Sequence, residues 1–99
     1  MRRGTTPTHA FTLPFAVDTV SNALIVYAQS GEEILRKTVH QCHMSENTIS
    51  VDLTQEETFL FDCGKKVQIQ VRVLTADGKA LASNIIVADV DKCLSNEVL

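Results

Sequence analysis

The sequence predicts an all-β domain, an immunoglobulin-like antiparallel β-sandwich of about seven strands, and three observations carry that expectation. Residues 48–53 and 67–73 alternate apolar and polar side chains without a miss, which is the period of a strand with one buried face. An Asp77-Gly78 pair sits between two β-rich runs, and that dipeptide is a strong local signal for a hairpin. Turn residues recur between short apolar runs along the rest of the chain, a spacing typical of sandwiches.

Taken in order, residues 1–9 contain a Gly, a Pro and three Thr with few apolar side chains, so they read as an extended N-terminal arm. Phe11, Leu13 and Phe15 alternate with Thr12 and Pro14; this predicts a first strand, placed at a sheet edge because proline cannot donate to a ladder. Residues 23–28 are apolar on both faces, as in a strand covered on each side or covered on one side by a partner. Gln29-Ser30-Gly31 supplies a turn, and residues 33–39 are expected to return as the second strand of a hairpin. Thr54 and Glu57 stand at capping-box spacing for one helical turn, after which residues 58–61 are expected to form a short strand. The return after the Asp-Gly turn changes its apolar parity near Ser83 and Asn84, from Leu81 to Ile86 and Val90, which predicts a bulge or bend. The division is therefore an arm at 1–9, the sandwich at 10–91 and a C-terminal tail at 92–99.

Ninety-nine residues with 44% hydrophobic and 21% charged side chains suit one domain with one packed core. A net charge of -3 argues against nucleic-acid binding through a broad basic surface. The longest apolar runs, such as residues 23–28, fall short of a membrane span or the apolar core of a signal peptide, and the basic start at Arg2 and Arg3 runs into Gly-Thr-Thr-Pro-Thr. Three widely spaced cysteines, Cys42, Cys63 and Cys93, do not make a secreted multi-disulfide framework and favour a reduced setting. One disulfide between any two of them stays open.

The densest set of ligand-type residues is His40-Gln41-Cys42-His43, with His9, Cys63 and Cys93 elsewhere. A structural zinc site pairs two such motifs, and no second motif is present. Cys42 has histidines nearby, but neighbours along a strand point to opposite faces, so no activated thiol is expected. Glu32-Glu33 and Glu56-Glu57 fall in expected turns, where carboxylates are solvated, and the isolated glycines form no phosphate loop. No catalytic, cofactor-binding or metal-binding residue is assigned, and the chain is read as a non-enzyme. The candidate interaction residues are Arg2, Arg3, Thr5 and Thr6 of the arm, which would become ordered against a neighbour, and Leu24 and Val26 on the second apolar face of the strand at 23–28.

The stretches at residues 3–9, 53–58, 67–75 and 82–86, together with the Asp-Gly hairpin and an ending of the type Asp91-Lys92-Cys93-Leu94 to Glu97-Val98-Leu99, resemble a set of small proteins encoded in phages and prophages of Gram-positive gut bacteria. The resemblance spans nearly the whole chain and extends to order and spacing. It implies a structural or accessory protein that assembles in the virion, in the capsid, connector or tail, through contacts with other phage structural proteins or with itself as a homo-oligomer. The implied location is the virion, and the bacterial cytoplasm during assembly. The alternative is a small phage-encoded protein whose acidic surface blocks a host defence or regulatory protein.

Overall fold

A computed structural model describes all residues, Met1–Leu99. Its strands are β1 (Thr8–Thr12), β2 (Val20–Gln29), β3 (Glu32–Thr38), β4 (Cys42–Ser45), β5 (Thr48–Asp52), β6 (Val67–Thr75), β7 (Ala80–Ala82) and β8 (Ile86–Ala88). One helical turn, α1 (Gln55–Thr58), links β5 towards β6, and short 3-10 turns at Val17–Thr19 and Val39–Gln41 precede β2 and β4.

The strands form two antiparallel sheets. One has the order β1-β5-β4; the other runs β3-β2-β6-β7, with β8 also paired to β6. The β2 hairpin with β3 stays on one sheet, the chain crosses to the other through β4 and β5, and α1 returns it to β6. This is the two-sheet, Greek-key connectivity of an immunoglobulin-like sandwich.

Alternation places the core. Ile49, Val51 and Leu53 from one layer, and Val67, Ile69, Val71 and Val73 from the other, are buried, as the period-2 pattern requires. They close around Ala23, Ile25 and Tyr27 of β2 and around Phe61. The rings of Tyr27 and Phe61 pack tilted with centroids 5.8 Å apart, within the favourable range for aromatic pairs. Ile69→Ala should therefore cost about 2–5 kcal/mol. Gln70 points out of the sandwich, but its side-chain amide donates to Ser83 O at 3.0 Å, so Gln70→Ala should lose about 1 kcal/mol. Urea denaturation of the two variants measures both, and equal losses would mean that the strand faces are misassigned.

Three polar residues are buried with the core: Gln29, Lys37 and Thr58. The Gln29 side chain donates to Asp62 O at 2.9 Å and accepts from Asp62 N at 2.8 Å. It thereby satisfies the backbone of the turn that feeds β6. Lys37 reaches from β3 to Glu57 of α1, with Nζ 2.8 Å from Oε1 and 2.6 Å from Oε2. Glu57 is also the third residue of the expected capping box, accepting from Thr54 N at 2.9 Å while Thr54 Oγ1 accepts from Glu57 N at 3.1 Å.

The local expectations hold at the hairpins. β2 pairs with β3 from Leu24↔Thr38 to Gln29↔Glu32, and β6 turns through Asp77-Gly78 to pair Leu74↔Ala80 with β7. Gly78 adopts φ +89, a conformation open to glycine at little cost. The parity change is a break between β7 and β8, where Ser83 Oγ accepts from Val71 N at 3.0 Å in place of a strand partner.

Three boundaries differ from expectation. The first strand is Thr8–Thr12 rather than residues 11–15; Pro14 has no N–H to give and the ladder ends before it. Thr8 and His9 consequently belong to a sheet rather than to an arm. Residues 58–61 form no strand, because Thr58 closes α1 and Phe61 N bonds back to Thr58 O at 3.4 Å. The capping box commits that stretch to helical turns, which drop Phe61 into the core.

Candidate interaction surfaces

Residues 1–6 are held by their own chain. Arg2 and Asp91 form a parallel bridge. Asp91 N donates to Met1 O at 2.7 Å, and Arg3 N donates to Asp91 O at 3.2 Å. Arg2 Nη1 donates to Lys92 O at 2.6 Å. Arg3 Nη2 donates to Phe59 O at 3.1 Å, and Nη1 to Asn96 Oδ1 at 3.3 Å. The Arg3 guanidinium also lies 5.4 Å above the Phe59 ring centroid, a cation–π distance. Thr58 Oγ1 donates to Thr5 O at 3.0 Å, while Thr6 is exposed. Arg2, Arg3 and Thr5 thus make their hydrogen bonds within the chain, to residues 58–59 and 91–96 and, from Thr5 Oγ1, to Arg2 O at 2.7 Å.

Gly4 shows how close this seam is. It has φ +75, and a Cβ there would stand 2.5 Å from Phe59 Cζ. Gly4→Ala should cost about 1–3 kcal/mol through backbone strain alone, read as a lowered denaturation midpoint with residues 67–75 still protected from hydrogen exchange.

Leu24 and Val26 lie on the outer face of β2, half-buried. Register places Leu24 between Thr38 and Arg72, and Val26 between Arg36 and Gln70. The long side chains of these neighbours can lay their aliphatic stems along the apolar stripe while their polar ends stay wet. A shallow depression of about 250 Å³ beside Leu24, Leu74 and Ala80 is what remains open.

The larger apolar surface is on the other flank of the sandwich. Leu81, Ile85, Ile86 and Val87 are 44%, 55%, 42% and 56% exposed. They belong to β7, β8 and the break between them, along an edge paired only with β6. Opposite stands β1, paired only with β5. Between the two edges run two depressions of about 340 Å³ each. One has Val67 and Ile69 as its floor, with walls from residues 8–11 and from Ile86 and Ala88. The next has Val71 and Val73 as its floor, with walls from residues 12–15 and 81–84. None of the residues lining either depression is Lys, Arg, Asp or Glu.

His9 is the one ionisable side chain there. Its Nδ1 lies 2.6 Å from Tyr27 Oη, and burial first, with the positive amino terminus second, holds its pKa below the ordinary 6.5. Burial likewise raises the pKa of Tyr27, helped by the charges of Cys42 and Glu57.

The other ligand-type residues are scattered. Cys42 faces inward opposite Val51, its thiol donating to Thr38 O at 3.3 Å, whereas His43 faces outward opposite Ser50, with Nε2 3.9 Å from Asp52 Oδ2. Burial pushes the Cys42 thiol pKa up, against the pull of Lys37, which keeps the sulfur in its less nucleophilic form. Cys63 is exposed in the turn before β6, and all three cysteines are free. No three His, Cys, Asp or Glu side chains gather in a group that could hold a metal ion, and no helix is long and apolar enough to cross a membrane.

The fold and this surface define an immunoglobulin-like β-sandwich with an open, largely apolar flank. No family model matches the sequence, and no curated protein matches it. Among solved structures, the V domain of amphioxus IgVJ-C2 is similar over 92% of this chain and 95% of that chain, with 9% sequence identity and a TM-score of 0.38.

Proposed function

We propose that this chain is a non-enzymatic assembly domain that joins a phage particle through protein–protein contacts on its β7–β8 flank. The observation that carries the reading is the number of large apolar side chains left exposed along residues 81–87, since exposed apolar surface at an unpaired edge marks an interaction site. The sequence resemblance to phage-encoded proteins supports placing that contact in the virion. The test is quantitative mass spectrometry of gradient-purified particles assembled with the wild-type chain or with a Leu81→Glu/Val87→Glu variant. The expected result is stoichiometric wild-type protein and loss of the variant from particles, with the variant still folded by circular dichroism. Particles that lack the wild-type protein would overturn the reading.

A further inference from the structure

We propose that a second copy of this chain pairs antiparallel with the free edge of β3 about a two-fold axis at Leu35, which sets Glu33 of each copy opposite Arg36 of the other. β3 ends its sheet and is hydrogen-bonded to β2 alone, so one row of its backbone donors and acceptors is open to water or to another strand. Along that edge the order is Glu32-Glu33-Ile34-Leu35-Arg36-Lys37: two acids, two aliphatic residues, two bases. Reversed and laid beside itself, the strand meets its own opposite charges. A two-fold interface demands this, because residue i contacts j while j contacts i.

Charge order alone would not suffice. Cross-strand partners share a face, and residues three apart in a regular strand do not. The bulge in β3 removes the conflict. Its register with β2 runs Val26↔Arg36, Tyr27↔Leu35 and then Ala28↔Glu33, with Ile34 left over. Arg36 and Glu33 therefore stand on one outer face, where Arg36 Nη2 donates to Glu33 Oε1 of its own chain at 2.8 Å. With Ile34 passed over, half-buried Leu35 meets its copy at the axis, Arg36 meets Glu33, and Glu32 and Lys37 take the next mirrored positions. Lys37 is committed to Glu57, so the outer pair carries the charge match. The Arg36 and Glu33 side chains are 56% and 43% exposed, and exchanging one intrachain pair for two interchain pairs requires no unfolding. Bulges and charges keep an edge from indiscriminate pairing; here they repel a strand of another pattern and admit the same one.

Sedimentation velocity of the full chain over a wide concentration range should show monomer–dimer exchange that salt weakens, as befits a small, charged edge contact. Glu33→Arg alone, or Arg36→Glu alone, sets like charges across the axis and should weaken the dimer more than tenfold. An equimolar mixture of the two single variants should pair again, since both contacts across the axis then join opposite charges. An ion pair acting only within its own chain cannot give that recovery, because each single variant has lost it. Circular dichroism of both variants should match wild type. The Leu81→Glu/Val87→Glu variant, altered on the opposite flank, should dimerise as wild type does. A monomer at every concentration, a dimer indifferent to both charge reversals, no recovery on mixing, or loss of the dimer in Leu81→Glu/Val87→Glu would overturn the assignment. Any of these alongside stoichiometric protein in particles removes the β3 contact alone and leaves the assembly reading standing.

Discussion

Glu57→Ala should destabilise the domain by about 3–5 kcal/mol, because it leaves the Lys37 ammonium buried without a partner. The Lys37 side chain is only 7% exposed and that of Glu57 is 21% exposed, so water cannot replace the carboxylate as it would at the surface. The same substitution removes the acceptor for Thr54 N and loosens the first turn of α1. Lys37→Met is expected to be close to neutral or stabilising, since it removes the buried charge and keeps the packing volume. Chemical denaturation of the two single variants and the double variant measures the coupling, and a Glu57→Ala loss below about 1 kcal/mol would class the pair with ordinary surface bridges. Burial acts to raise the pKa of Glu57, but the hydrogen bonds and charge of Lys37 and the capping bonds of Thr54 outweigh it, and the net pKa is lowered. The stabilisation is therefore complete above the unfolded carboxylate value and is lost as the pH falls through the lower folded value. Comparing wild type with Glu57→Gln separates this from Glu33 and Asp89, whose pKa values are also lowered.

Tyr27→Ala should cost about 3–5 kcal/mol, the range for emptying an aromatic site in a core, since this fully buried ring is the largest side chain at the centre of the sandwich. Tyr27→Phe isolates the hydroxyl's share: it leaves His9 Nδ1 without its partner and should cost about 1–2 kcal/mol. The pair also gives a pH window. The folded pKa of His9 lies below 6.5, so the folded state resists the charge that the unfolded chain accepts. Stability is then full above the unfolded value, falls as the pH drops through it, and levels off below the folded value. Protonation would make Nδ1–H a donor to the Tyr27 hydroxyl oxygen, so the contact itself can persist in the charged form. Thermal melts from neutral to mildly acidic pH should show this loss in wild type and not in His9→Gln, at a pH above the Glu57 window. A His9→Gln protein with the wild-type profile would assign the loss to another group.

What could be read in the sequence was what local physics dictates. Val67, Ile69, Val71 and Val73 announce their buried face by period alone, and Thr54 with Glu57 announce a helix start because both partners lie within one turn. Lys37 gave no such signal: within Leu35-Arg36-Lys37-Thr38 it looks as solvated as Arg36, and only the register Ile25↔Lys37 turns it inward towards α1. The first strand was misplaced because Phe11, Leu13 and Phe15 keep strand alternation on both sides of a proline that stops the ladder. Arg2 and Arg3 looked free because a parallel bridge between opposite ends of the chain has no local signature. The flank that carries the proposed contact was half visible. The parity change near Ser83 marked the break, whereas the openness of the edge at Ile86 is a property of how the two sheets close.

The seam that ties residues 1–3 to residues 89–91 also has a kinetic meaning. It closes a loop that runs through nearly the whole sandwich, from Arg2 to Asp91, so its entropy cost is met only after the sheets exist, and it rests on a few backbone bonds. It should form last and be the first to open. In native-state hydrogen exchange, the amides of Arg3 and Asp91 should open at low free energy by local fraying, while those of β6 open only with global unfolding.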